Sequence, residues 1–313
     1  MNKVILLTTA MASLAIAPFT AANGPIDGKL YGKINVAVVN SDSGSTDTWK
    51  LNSNASRIGL KGSSQISEGL SVFYKTEFEV CVDDGDCKGN TLGQRNIFAG
   101  IKGQYGSLLA GKNDTPTKQA QKKIDLFNDS VGDIKKTFAG ENRMSNIIAY
   151  TSPKYGNFSA SYAIMPSEAD DGGLADSKSY SVNYKKDRLY VAVASDSNVK
   201  DADILRIVSQ YKLDAWKLGF MYQDSDELVI TEDYERIEKK SGYFASVAYK
   251  CDNITYKAQY GNNENDTANS DKTTLSLGAD FKLAKNTKSF VFFTDNEDSS
   301  STKTFGLGLE HKF

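Results

Sequence analysis

One histidine in 313 residues leaves little room for chemistry that needs an imidazole, whether as general base or as metal ligand. Five prolines occur, and Pro18 and Pro25 sit at the extreme N-terminus, so the rest is free to form long, uninterrupted hydrogen-bonded strands. Charge is nearly balanced, with 37 Lys plus Arg against 39 Asp plus Glu, which argues against a polyanionic partner such as nucleic acid. Dinucleotide fingerprints, phosphate-binding glycine loops and Cys/His zinc spacings are absent, so neither a cofactor nor a resident metal is expected. With 40% hydrophobic residues, 16 Tyr and 15 Phe, the chain is too apolar and aromatic for disorder.

The N-terminus carries a compartment signal. Lys3 precedes the apolar run Val4-Ile5-Leu6-Leu7, an alanine-rich stretch continues to Ala17, and Thr20-Ala21-Ala22 offers small residues for cleavage. This pattern predicts a secretory leader over residues 1–22, cut after Ala22, and a mature unit over 23–313. Beyond residue 23 no window reaches the ~18 consecutive apolar residues of a membrane helix. The mature chain is therefore expected to be either an exported soluble protein or a membrane β-barrel.

Alternation of period two decides between them. In residues 71–80 the apolar Val72, Tyr74, Phe78 and Val80 share one parity while Lys75, Glu77 and Glu79 share the other, as a strand requires and a helix does not. The final residues repeat the pattern, with Phe305, Leu307, Leu309, His311 and Phe313 on one face. Sixteen such segments are readable, joined alternately by short turns and by longer polar connections near 40–54, 81–92, 114–142, 166–176, 197–202, 224–240, 261–270 and 296–301. Charges along one strand face suit a wet lumen, whereas a soluble sandwich would need that inward face apolar. The expected fold is all-β: a 16-stranded antiparallel transmembrane barrel, wide enough to leave a water-filled channel.

Several stretches resemble the Gram-negative general porins of the neisserial and β-proteobacterial type. They are Leu30-Tyr31-Gly32-Lys33-Ile34, Ser56-Arg57-Ile58-Gly59-Leu60-Lys61-Gly62, Phe98-Ala99-Gly100-Ile101-Lys102-Gly103, Tyr105 to Lys112, Tyr150-Thr151-Ser152-Pro153, and Gly308 to Phe313, in the family's order. The resemblance implies a homotrimer in outer-membrane lipid and lipopolysaccharide that passes ions and small hydrophilic solutes. It also implies that the third loop, residues 114–142, folds inward and constricts the channel. Ile124, Leu126, Phe127, Ile134 and Phe138 independently suggest that this loop packs against something, and the spacing allows a helical turn or two over 118–126.

Asp125, Asp129 and Asp133, four apart, could share a helical face of the loop. Strand parity directs Lys33, Arg57, Lys61, Lys75 and Arg143 into the lumen, together with Glu77 and Glu79, so that opposed charges would set a field across the channel. Two departures from the family pattern stand out. Asp125-Leu126-Phe127-Asn128-Asp129 replaces a proline- and glycine-containing bend, and Ala149 stands where relatives often place an arginine.

Cys81 and Cys87 bracket Val82-Asp83-Asp84-Gly85-Asp86. Export favours a small loop disulfide, although the three aspartates could alternatively attract a divalent cation or lipopolysaccharide-bound calcium. Cys251 falls at a short turn and is expected to stay a free thiol. His311, on the lipid-facing parity, reads as part of the interfacial belt instead of a catalytic group. A substrate-specific channel and a non-conducting barrel adhesin are the competing functional readings.

Overall fold

The structure is a computed structural model that describes residues 28–231, 234–268 and 270–313; the expected leader lies outside them. Among the described residues the strands are β1 (Gly28–Asp42), β2 (Asp47–Ser53), β3 (Arg57–Ser67), β4 (Leu70–Glu79), β5 (Gly93–Gly103), β6 (Gly106–Asp114), β7 (Arg143–Thr151), β8 (Phe158–Met165) and β9 (Ser177–Lys186). They continue with β10 (Leu189–Ser197), β11 (Ala202–Leu213), β12 (Trp216–Ile230), β13 (Glu235–Cys251), β14 (Ile254–Asn265), β15 (Lys272–Ala284), β16 (Thr287–Asp298) and β17 (Ser300–Lys312). Both β2 and β3 pair with β1, through Val36↔Ser53 and Lys33↔Arg57, and form one wall strand interrupted at residues 54–56.

Every neighbouring pair is antiparallel, and β1 closes on β17 from Lys33↔Lys312 to Asp42↔Lys303. The result is a closed sixteen-stranded barrel. Closure leaves no free edge strand, the condition for strands to cross a bilayer. No helix among the described residues is long and apolar enough to span one.

The two faces of the wall divide as the alternation predicts. Along β11, Leu205, Ile207 and Tyr211 are exposed outward while Ile204, Arg206, Val208 and Gln210 are buried inward. Trp49, Tyr105, Tyr155, Trp216 and Phe158 stand exposed on the outside, the aromatic girdle of a membrane barrel.

The connections differ from the sequence expectation. Most of the anticipated long loops are hairpin extensions: Val36–Asp42 pairs with Asp47–Ser53, and β12 pairs with β13 out to Ile230↔Glu235. Asp42, Asp47, Lys50, Asp224, Asp226, Glu235 and Lys239 interrupt the apolar alternation in these overhanging strands, so the sequence there reads as polar loop. The long irregular connections are 80–92, 115–142 and 166–176.

Candidate functional site: the charged lumen and the third loop

Residues 115–142 begin with Thr115, whose hydroxyl accepts from Lys118 N, and Pro116, which opens helix α1 (Pro116–Ala120). Proline at the first helical position and a threonine cap explain the start. The helix thus lies earlier than the expected 118–126 and ends at Ala120. A second short turn, the 3₁₀ segment Ile134–Lys136, is capped by Asp133.

The chain between them is irregular, and the barrel wall supplies its hydrogen bonds. Gln259 accepts from Leu126 N (2.9 Å) and donates to Gly132 O (2.6 Å); Ser246 Oγ donates to Ile124 O (2.6 Å). Asn263 and Asn296 donate to Thr137 O and Val131 O, and Tyr190 to Ala120 O. These wall side chains share the inward parity of their strands, so the loop lies along the inner face. Irregular backbone away from water requires such partners.

Apolar contacts complete the seating. Ala120, Ile124, Ile134 and Phe138 pack with Tyr190, Ala192, Val208, Met221 and Phe244, while Phe127 packs with Ala37, Val39, Phe290 and Phe292. Each buried aliphatic or aromatic anchor contributes about 1.5–3 kcal/mol.

The three loop aspartates do not share a helical face, which corrects the sequence expectation. Asp125 is buried inside the loop and accepts from Phe127 N and Ile134 N; burial and the neighbouring charge of Asp133 push its carboxyl well above the usual range. Asp133 accepts from Asp129 N, Lys135 N and the Asn128 amide. Asp129 alone reaches the wall, bridging Lys33 Nζ (3.0 Å) and the Arg57 guanidinium. Burial would raise its carboxyl, but Arg57 and Lys33 outweigh that and hold it at about 2.

The expected wall residues converge on one region. Glu77 meets Lys75 (3.1 Å), Arg57 (3.9 Å) and the Tyr31 hydroxyl (2.8 Å), and Lys61 lies 5.1 Å from the Tyr31 ring centroid. Arg143 sits apart, paired with Asp114 (3.0 Å) and Asn96. Ala149 belongs to an apolar patch with Ile147, Ala163 and Met165, so that stretch of wall carries no positive charge.

Sequence parity missed Arg95, which bridges Glu77 (3.0 Å) and Glu79 (3.2 Å). The ladder runs Thr76↔Ile97 and then Phe78↔Gln94, leaving Arg95 and Asn96 both opposite Glu77. A β-bulge turns both inward, and a strict period of two does not contain one. Lys217, Lys257 and Lys288 were also missed; each follows a short turn, and Lys257 and Lys288 hold Asp280 at 2.7 and 2.8 Å.

On the side of the short turns the loop and wall enclose a cavity of ≈ 730 Å³, lined by nine lysines and Arg57 against five acidic side chains. Cys81 and Cys87 are joined by a disulfide, and Cys251 is free and exposed beside its turn. Among the described residues no acidic, His or Cys cluster could hold a metal ion. His311 Nδ1 lies 2.8 Å from the Thr287 hydroxyl.

A closed sixteen-stranded barrel with an apolar exterior and a charged interior defines a membrane channel of the outer-membrane type. The chain matches the family model described as Gram-negative porin over residues 8–301, and it belongs to that family. It is 25% identical over 350 aligned positions to the major outer membrane protein P.IB of Neisseria meningitidis serogroup B, covering 99% of this chain and 100% of the relative. Its fold is similar to that of the anion-selective porin from Comamonas acidovorans, with a TM-score of 0.77, 20% identity, and 92% and 100% of the two chains covered. It is also similar to a trimer form of OmpT of Vibrio cholerae, with a TM-score of 0.70, 14% identity, and 91% and 99% covered. The protein is an outer-membrane porin, a channel for passive diffusion of small solutes.

Proposed function

We propose that residues 114–142 form the constriction of this channel and that the lumen charges make it favour small anions. Lys33, Arg57, Lys61, Lys75, Glu77, Asp129 and Arg143 are the wall and loop charges assigned to the constriction; Asp125 and Asp133 brace the loop from within. The single observation that carries the reading is the cavity lined by nine lysines and Arg57 against five acids. At physiological salt the Debye length is ~8 Å, comparable to such a space, so the excess positive charge acts on every ion that passes. Solutes need no binding step, and no residue is assigned a catalytic role. His311 serves the membrane interface.

The leader of residues 1–22 exports the chain, and the exposed outer face meets outer-membrane lipid and lipopolysaccharide. The working unit is a homotrimer, consistent with a trimer form of OmpT sharing the fold. Liposome swelling in a series of sugars of increasing size tests the diffusion reading. Rates should rise linearly with sugar concentration and fall steeply with molecular size. Saturation at low concentration of one sugar would instead establish a substrate-specific channel, and no swelling at all would establish a closed barrel.

A further inference from the structure

The inner wall beneath the third loop carries three glycines, and each lies under one of its apolar anchors. Gly219 of β12 faces Ile124, Gly278 of β15 faces Phe127, and Gly261 of β14 faces Phe138. All three have the parity of inward residues: Gly219 alternates with outward Leu218 and Phe220, Gly261 with outward Tyr260, and Gly278 with outward Leu277. A methyl group on Gly219 would come within 2.5 Å of Ser246 Oγ and 2.8 Å of both Ile124 Cβ and Cγ2, and one on Gly278 within 2.8 Å of Val291 O and 2.9 Å of Phe127 Cε1. On Gly261 it would lie 3.3 Å from Phe138 Cε2 and 3.2 Å from Phe244 Cδ2.

Glycine weakens a strand, because it loses the most conformational freedom on folding and offers no side chain to pack. The three residues are therefore a cost to the barrel, recovered where another chain segment approaches closely. The same strands and β13 between them supply the polar half of the seat, from Gln259, Asn263 and Ser246.

We propose that Gly219, Gly261 and Gly278 are positioning residues: sockets that receive Ile124, Phe138 and Phe127 and hold the constriction fixed, so that the pore dimension is set by close packing instead of by a mobile gate. The inference rests on the constriction reading above. Packed contacts of this kind are bistable and not continuously deformable, so enlarging a socket residue should unseat its anchor outright.

Both sides of the contact are accessible to test. Gly219→Ala adds atoms to the wall at the point where the loop's own Cβ cannot yield; Phe127→Ala and Phe138→Ala remove the anchors and add nothing to the wall. Purified channels are compared by single-channel recording in planar bilayers and by hydrogen exchange with mass spectrometry. The proposal expects open-level current noise to rise at least about twofold, with new conductance levels. It also expects exchange in peptides from 116–142 to accelerate about tenfold while peptides from the wall strands stay protected. Should Gly219→Ala fail to assemble, the two anchor truncations decide alone. Folded variants with wild-type noise, levels and loop protection overturn the proposal. A wild-type protein that conducts nothing overturns the constriction reading instead, so the two failures are distinct.

Discussion

Arg206 Nη1 lies 2.7 Å from Glu141 Oε1, with the guanidinium fully buried on the inner wall. The same guanidinium donates to Ala139 O (2.7 Å) and Thr117 O (3.5 Å), and to the Gln223 side chain (2.8 Å). One side chain on β11 thus fastens the third loop where it enters and where it leaves. Burial raises the carboxyl of Glu141, and the charge of Arg206 acts against that rise.

Removing Arg206 leaves Glu141 buried without its cation, a loss on the order of 3 kcal/mol or more. Arg206→Ala should therefore expose both ends of the loop, with exchange in peptides covering 115–120 and 138–142 about 100-fold faster. Arg206→Lys should recover only part of this, because a single ammonium cannot reproduce the fork that reaches four acceptors. Equal protection in all three proteins would contradict the role assigned to Arg206.

Asp129 is the loop acid that neutralises Lys33 and Arg57 across the channel. Asp129→Asn should remove one negative charge from beside both cations, leaving Lys33 with Glu310 (3.7 Å) and Arg57 with Glu77 (3.9 Å), and strengthen anion preference. In a tenfold salt gradient the reversal potential should move several millivolts further toward the chloride limit. Asp125→Asn, by contrast, alters a group buried within the loop, and its effect should appear in loop protection before it appears in selectivity.

The same aspartate sets an acid limit. Its carboxyl is held at about 2, below the ordinary 3.8, so the charged form is favoured in the folded channel. The sign follows from linkage: the contribution of a depressed carboxylate is complete above the ordinary value and disappears as pH falls through the folded one. The Asp129 component of selectivity should be unchanged from pH 8 to about 4 and should be lost toward pH 2, with anion preference rising. In Asp129→Asn that component is missing, and reversal potentials of the two proteins should converge at the acid end. Convergence already complete at pH 5 would contradict the depressed carboxyl.

Thiol counting separates the three cysteines. Without reductant, a membrane-impermeant maleimide should label one site, Cys251; after reduction and unfolding it should label three. Replacing Cys81 and Cys87 by serine should destabilise the 80–92 connection by about 2 kcal/mol, the loop-closure value for a seven-residue ring. Faster exchange there, with single-channel conductance unchanged, is the expected outcome.

The barrel was legible in the sequence because a lipid-facing strand must alternate, and Phe305, Leu307 and Leu309 do so without a break. The lumen charges Lys33, Arg57, Lys75 and Glu77 followed from the same parity. Arg95 escaped because a bulge reverses the phase between it and Ile97, and Lys217, Lys257 and Lys288 because isolated charges beside turns look like solvated turn residues. The path of the third loop depends on Gly219, Gly261 and Gly278, which a linear reading sees as ordinary strand glycines. Asp125, Asp129 and Asp133 share a spacing but not a role, since the helix that would align them stops at Ala120. The anchors Ile124, Phe127 and Phe138 were visible as apolar residues in a loop; the surface receiving them was not.

Passage of small anions through the basic lumen is read directly from the zero-current potential of single channels in a planar bilayer under a tenfold potassium chloride gradient. Conductance steps grouped in threes, with a potential whose sign reports chloride passing more readily than potassium, are the predicted result. A potential of the opposite sign would contradict the basic cavity as the filter. A silent bilayer with insertion verified would contradict the diffusion channel itself.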